Sequence, residues 1–188
     1  MIYAAVSHIT SQLNQFLKRS FDLTENMVVM SNVAEQDGTV APDVSNKLVV
    51  FLVNVEKEVT HGRGLGSNFA ESWTSSYPSL FLNLYVMVAA NFNGANYQEG
   101  LKYLSNAISF FQRQPVFDHH QTPDMDRRIS KLVLEIENLS IQDLSSLWGM
   151  LSGHYQPSVL YKVRMISFAA GDVLSEVAPI KGLDTSVE

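Results

Sequence analysis

The chain has 188 residues, a formal net charge of −6 and no cysteine. Its hydrophobic share of 46% and charged share of 17% are typical of a single folded domain rather than a disordered chain. The absence of cysteine excludes disulfides, thiol catalysis and cysteine-ligated metal sites. Nucleic-acid binding needs a basic surface, and the only tight basic cluster is Arg127, Arg128 and Lys131. We therefore predict no nucleic-acid partner.

The chain begins with an amphipathic pattern over residues 2–19. Its apolar residues recur at spacings of three and four, which places them on one stripe of a helix: Ile2, Val6, Ile9, Leu13, Phe16 and Leu17. A membrane-surface helix would carry more basic side chains on its polar face, so we expect this helix to pack on a sheet. The longest apolar stretch, residues 80–90, is too short to span a bilayer. We expect a soluble protein that is synthesised in the cytoplasm.

Five segments have the composition and alternation of strands: residues 27–31, 47–56, 79–92, 131–139 and 158–168. The segment 47–56, "KLVVFLVNVE", is apolar on both faces, which is typical of a strand inside a sheet. The segment 131–139 also fits a helical stripe formed by Ile129, Leu132, Val133 and Ile136, and both interpretations stay open.

Two further helices are predicted from their first turns. One begins near Asn96, with Glu99 three residues on, and carries an apolar stripe up to Pro115: Leu101, Leu104, Ile108 and Phe111. The other begins at Ser140, with Asp143 three residues on. The predicted fold is α+β, with a single mixed, largely antiparallel sheet of about five strands and three helices packed on it. We expect one domain over residues 1–168 and an extended tail over 169–188.

The stretch "PVFDHHQTPDMDRR", residues 115–128, concentrates side chains that could bind a metal. His119 and His120 are neighbours, however, so on a helix or strand they point in different directions. Asp124 and Asp126 lack the glycine and glutamate of a calcium loop and precede two arginines that balance their charge. We predict a solvated connection with no metal.

Glycine-rich residues 61–68, "HGRGLGSN", form G-x-G-x-G rather than a dinucleotide or phosphate-binding motif. We therefore predict a loop without a phosphate ligand. No nucleophile elbow or serine–histidine–carboxylate spacing occurs in the chain. We expect no cofactor and no enzymatic activity.

The segment 57–78 is longer than a simple strand connection. Phe69, Trp73 and Tyr77 follow one another at four-residue spacing within it, and Trp and Tyr are enriched at interface hot spots. We take these three aromatics as a candidate partner-contact loop, mobile in the isolated protein and ordered on assembly. The alternative is that they pack on their own sheet.

The segment "LSIQDLSSLWGMLSGHYQPSVLYKVR", residues 139–164, resembles the signature of the cap, or tail-terminator, proteins of contractile injection systems. These systems are phage-tail-like particles. The features that match, which we expect to be mainly structural, are Leu147, Trp148, Tyr155, Pro157, Ser158, Tyr161 and Arg164. The resemblance extends over residues 1–168, which in longer relatives form an amino-terminal domain before a second part.

The resemblance implies a structural cap that ends the tube or sheath of such a particle. It implies that the protein assembles with itself into a homo-hexameric ring, contacts tube and sheath proteins, and acts by binding without catalysis. It also implies assembly in the cytoplasm into a particle that can leave the cell. Two alternatives remain at this point: a non-catalytic assembly or baseplate adaptor of the same particle, and a metal- or ligand-dependent enzyme built on residues 115–128.

Overall fold

The computed structural model describes residues 1–34, 41, 43–58, 81–151 and 154–167. Within these ranges it contains three α-helices, one short 3₁₀ helix and six strands. In chain order they are α1 (Ile2–Phe21), β1 (Val28–Met30), β2 (Lys47–Lys57), β3 (Phe81–Asn91), the 3₁₀ helix (Gly94–Asn96), α2 (Tyr97–Arg113), β4 (Val116–Asp118), β5 (Ile129–Glu137), α3 (Ile141–Met150) and β6 (Ser158–Ser167). The predicted α+β class is confirmed.

The strands form one sheet in the order β1-β2-β3-β6-β5-β4. Only β1 and β2 are parallel, so the sheet is mixed and largely antiparallel, as predicted. The sixth strand, β4, was missed because three residues after Pro115 are too few to show alternation. The strand interpretation of residues 129–137 is correct, because β5 pairs with both β4 and β6.

Helices α1 and α2 cover one face of the sheet and bury the larger apolar core. Side chains alternate along a strand, so this core takes every second residue of the central strands, including Leu48, Val50, Leu84, Val86, Val163 and Met165. Each buried side chain of this kind contributes roughly 1.5 to 3 kcal/mol relative to its exposed state. The two helices contact each other through Phe16 and Phe110, whose rings stack at 4.8 Å.

The buried face of α2 contains Leu104 and Phe111 of the predicted stripe, with Ile108 partly buried, but not Leu101. Leu101 is 38% exposed, whereas Tyr103, Ala107 and Phe110 are buried. The reason lies in the close approach of Gly100 to Phe92, where an added Cβ would lie 2.8 Å from the ring. The helix start was predicted correctly, but its capping was not. The Asn96 side chain makes no cap hydrogen bond to α2; the Asn93 side chain caps the preceding 3₁₀ helix instead, accepting from Asn96 N at 3.1 Å.

The second face of the sheet is covered by α3 and by residues of the segment that connects β1 and β2. This smaller core contains Val33, Ala41, Val44, Val49, Phe51, Met87, Ala89, Trp148 and Leu160. Strand β2 therefore contributes to both cores, which explains why its sequence is apolar on both sides. In the ranges that the structure describes, no helix is long and apolar enough to cross a membrane.

His8 makes the stability of the fold dependent on pH. Its ring is 8% exposed on α1 and meets Phe117 edge-on at 5.8 Å. Burial lowers the pKa of His8 from its ordinary value of 6.5; Asp124 opposes this effect and His119 adds to it. Below about pH 6.5 the unfolded chain therefore binds a proton that the native state resists, so stability falls as the pH falls.

We expect the free energy of unfolding to decrease between pH 7.5 and 5.5 by less in His8→Gln than in the wild type. Urea denaturation at each pH measures this. His120→Gln, at an exposed position, is the matched control and should retain the wild-type dependence. Equal pH dependence in the His8→Gln variant and the wild type would contradict the assignment.

Candidate assembly surface

The segment 139–164 that carries the family signature forms α3, a corner and β6. The helix begins as predicted: Ser140 Oγ accepts a hydrogen bond from Asp143 N at 3.1 Å and donates one to Asp143 Oδ2 at 2.6 Å. Such a cap stabilises a helix by about 1 kcal/mol. It sets the first turn of α3, and hence which residues of this short helix face the sheet.

Trp148 attaches α3 to the second face of the sheet. It is 3% exposed, and its ring meets Phe51 of β2 at 6.5 Å and Tyr155 at 6.3 Å, both edge-on. Leu147 is half-buried beside the same cluster. An indole of this size removes a large apolar area from water, so Trp148 holds the helix in place.

At the corner before β6, a backbone hydrogen bond holds the main chain in place, whereas the ring of Tyr155 is not buried. The carbonyl of Pro157 accepts from Ala90 N at 2.8 Å, and Ser158 then pairs with Ala89 as the first residue of β6. Tyr155, one of the signature residues expected to be mainly structural, is 64% exposed and touches Trp148 from outside. Its ring therefore belongs to the protein surface.

Along β6 the two remaining signature residues lie on opposite faces. Tyr161 is 2% exposed in the larger core, with its ring 5.0 Å from Phe111, and burial raises the pKa of its hydroxyl. Arg164 lies on the other face, where its Nη2 is 3.1 Å from Glu135 Oε1. An exposed pair of this kind contributes about 1 kcal/mol or less. Tyr161 thus has a packing role, and Arg164 lies on a polar part of the sheet.

The surface of α3 that faces away from the sheet is more apolar than the sequence pattern indicated. Ile141 is 88% exposed and Met150 is 75% exposed. A groove of about 590 Å³ is lined by Ile141, Leu144, Trp148, Tyr155 and three neighbouring residues, whereas Met150 lies outside it. Large apolar side chains exposed together commonly mark an interaction site. The sequence signal that could have indicated these exposed side chains is the composition of α3, in which apolar residues occur on all sides of the helix.

Residues 115–128 form a structured turn. Asp118 Oδ1 accepts from the backbone N–H groups of His120 and Gln121 at 3.0 Å each. These bonds lower the pKa of Asp118, that from Gln121 most strongly. Asp126 binds the guanidinium of Arg128 at 2.6 Å, and the hydrogen bond from that side chain lowers the pKa of Asp126. Both carboxylates are therefore engaged by the turn itself.

The histidines of this turn do not converge with its carboxylates. His119 Nε2 lies 2.8 Å from the carbonyl oxygen of Ile129, and His120 is exposed. In the described part of the chain, no three His, Asp or Glu side chains are grouped as metal ligands. The glycine-rich residues 61–68 and the aromatics Phe69, Trp73 and Tyr77 lie outside the described residues.

The contrast between Trp148 and Tyr155 gives a stability test. We expect Trp148→Ala to lower the free energy of unfolding by about 3 to 5 kcal/mol, because it leaves a cavity between α3 and the sheet. Tyr155→Ala should cost roughly 1 kcal/mol or less, since the side chain is largely exposed. Urea denaturation of the two variants provides the comparison. Equal losses would contradict the assignment of Trp148 to the core.

Comparison with known structures places this fold among particle caps. The cryo-EM structure of the anti-feeding prophage cap, a tube-terminating cap, superimposes with a TM-score of 0.59 at 14% identity, covering 97% of this chain and 60% of that chain. The sheath/tube terminator of the PVC extracellular contractile injection system, in its extended state, gives a TM-score of 0.53 at 12% identity, covering 96% and 62%. This chain thus spans less than two thirds of either protein.

The comparison with protein families agrees with the structural one. The family described as the Pvc16 N-terminal domain matches residues 5–181, which include every helix and strand described above except the first three residues of α1. None of the curated protein sequences gives a significant match. The chain belongs to the Pvc16 N-terminal domain family.

Proposed function

We propose that this protein is a structural cap that ends the tube, the sheath or both in a contractile phage-tail-like particle. The observation that carries the proposal is the family match over residues 5–181. The two structural relatives, named as a tube-terminating cap and a sheath/tube terminator, support it through their shared fold. The proposal includes assembly in the cytoplasm and release with the particle.

The proposed mechanism is binding without a chemical step. A tube of stacked rings elongates as long as its last surface accepts another ring, so a terminator must match that surface and present a different one outwards. A homo-hexameric ring of this protein would satisfy both needs. The described residues support binding rather than catalysis, since Asp118 and Asp126 serve the turn and α3 exposes apolar side chains.

The outward residues of α3 are the described surface that best fits a contact with another protein of the particle. Ile141 and Met150 are among the most exposed large apolar residues described. Their burial in an interface would contribute roughly 25 cal/mol for each Å² of apolar area removed from water. The proposal places them against a neighbouring subunit.

In a strain that produces the particles, we expect deletion of this protein to give tubes of irregular length or fewer finished particles. Wild-type protein supplied in trans should restore them, whereas Ile141→Asp with Met150→Asp should not. Ser105→Asp with Gln112→Asp is the matched control on exposed positions of α2 and should rescue. Electron microscopy of particle lengths, with circular dichroism of each variant, makes the comparison.

Normal particle number and length in the deletion strain would contradict a terminator role. Particles of normal length that lack a complete baseplate would favour the assembly adaptor instead.

The aromatics Phe69, Trp73 and Tyr77 remain a proposed second contact. In this proposal the segment becomes ordered against a neighbouring subunit or the tube end, and the ordering cost arises only on assembly. We expect Trp73→Ala to reduce particle capping strongly while leaving the stability of the isolated protein nearly unchanged. Hydrogen exchange should show residues 62–76 protected only in the assembled state. Strong protection already in the isolated protein, or normal capping by Trp73→Ala, would contradict this role.

A further inference from the structure

Among the described strands, β1 covers only part of the outer side of β2. Strand β1 pairs with Leu48, Val49 and Val50, and its last contact is the hydrogen bond from Ser31 N to Val50 O at 3.3 Å. From Phe51 to Lys57, β2 pairs with β3 alone among the described strands. An uncovered strand edge presents a row of backbone donors and acceptors that can bind another strand.

A groove lies beside this edge, at the place where β1 stops. Its volume is about 470 Å³, and none of its lining residues is charged. Tyr3 of α1 is 73% exposed there, Met30 38% and Leu52 37%. Val55, further along the edge, is 36% exposed. The groove therefore offers apolar contacts together with a free backbone edge, which is the chemistry that an extended apolar segment needs.

The edge is shaped for a single segment rather than for another flat sheet. The register of β2 against β3 shifts between Leu52 and Asn54, which leaves Val53 without a partner. Such a bulge bends the strand and increases its twist, which opposes pairing between two sheet edges. A flexible segment can follow the bend. Leu52 and Val55 pair with Val86 and Leu84, so both face the side of the sheet that carries the helices.

The chain itself contains a segment that begins near this edge. Met165 pairs with Leu82, and Leu82 pairs with Lys57, so β6 ends at the same end of the sheet as the uncovered part of β2. Residues 168–188 follow β6, and of the three residues that would share one face of an added strand at 173–177, Val173 and Val177 are apolar and Ser175 is polar. At roughly 3.3 Å per residue, seven such residues would extend along the whole uncovered edge.

The topology favours donation from another copy over binding within one chain. The connection between β2 and β3 leaves Lys57 and enters Phe81 at this same end of the sheet. At this end of the sheet, the two residues that the connection joins, Phe81 and Lys57, lie between the end of β6 and the outer side of β2. Connections that cross each other at one edge of a sheet are strongly avoided. A neighbouring copy approaches from outside and meets no such crossing.

We propose that the β2 edge from Phe51 to Lys57 and its groove bind residues 168–188 of a neighbouring copy as an added β-strand. Each copy then uses two different surfaces, the edge that receives and the segment that is donated. Contacts of this head-to-tail kind generate a ring when the rotation between successive copies closes. This inference rests on the proposed ring-forming cap, to which it supplies the contact between subunits.

The absence of native cysteine permits a direct test with the full chain. One preparation carries Val55→Cys alone and a second carries Val173→Cys alone, and the two are mixed, assembled and oxidised. Only contact between copies can link them, and mass spectrometry identifies the mixed disulfide. We expect several-fold more mixed dimer than in a control in which Leu101→Cys, at a similarly exposed position of α2, replaces Val55→Cys. When a single cysteine is placed at residue 174, 175, 176 or 177 instead of 173, the yield of mixed dimer should alternate between low and high, because successive side chains of a strand face opposite sides.

A yield of mixed dimer no greater than that of the Leu101→Cys control would overturn the inference. So would a chain carrying both cysteines that forms mainly disulfides within itself, because the segment would then cover its own edge. If these results occur while the deletion strain still produces particles of irregular length, the strand contact fails and the cap function stands. If mixed dimers form but deletion of the protein leaves particle length unchanged, the strand contact stands and the cap function fails.

Discussion

The two-sided burial of the central strands is the constraint on which the rest of this structure depends. Strands β2, β3 and β6 carry apolar side chains on both faces, so neither face can be left to water without a large loss of stability. Helices α1 and α2 cover one face and α3, with the β1–β2 connection, covers the other. The positions of Trp148 and Phe111 follow from this, since each holds one covering helix against the sheet.

The covering elements are unequal, and the difference has consequences for the surface. The face under α1 and α2 is closed by helices of 20 and 17 residues, whereas α3 has 10 residues. A short helix that buries one large indole has little length left with which to bury its other apolar residues. Ile141 and Met150 consequently face outwards. The proposed contact with a neighbouring subunit of the particle uses these outward residues.

The polar segments show how a cluster of ligand-type residues can serve the fold alone. Asp118 and Asp126 each accept backbone hydrogen bonds within the turn before β5. Such bonds hold the chain in the reversal that lets β4 and β5 pair. The short strands β1 and β4 end the sheet on both sides, and each covers only part of its longer neighbour. Very short edge strands are one of the ways in which proteins limit pairing between the edges of two sheets.

Local patterns in the sequence determined the elements of this protein. The periodicity of α1, the Ser140–Asp143 cap and the alternation along β2 are short-range properties, so they could be recognised without knowledge of the fold. The tertiary structure decided that Tyr103 and Phe110 of α2, rather than Leu101, join the buried face, because Gly100 closely approaches Phe92. It also decided the exposure of Tyr155 and the outward surface of α3. These depend on contacts between residues far apart in the chain, for which local periodicity carries no signal.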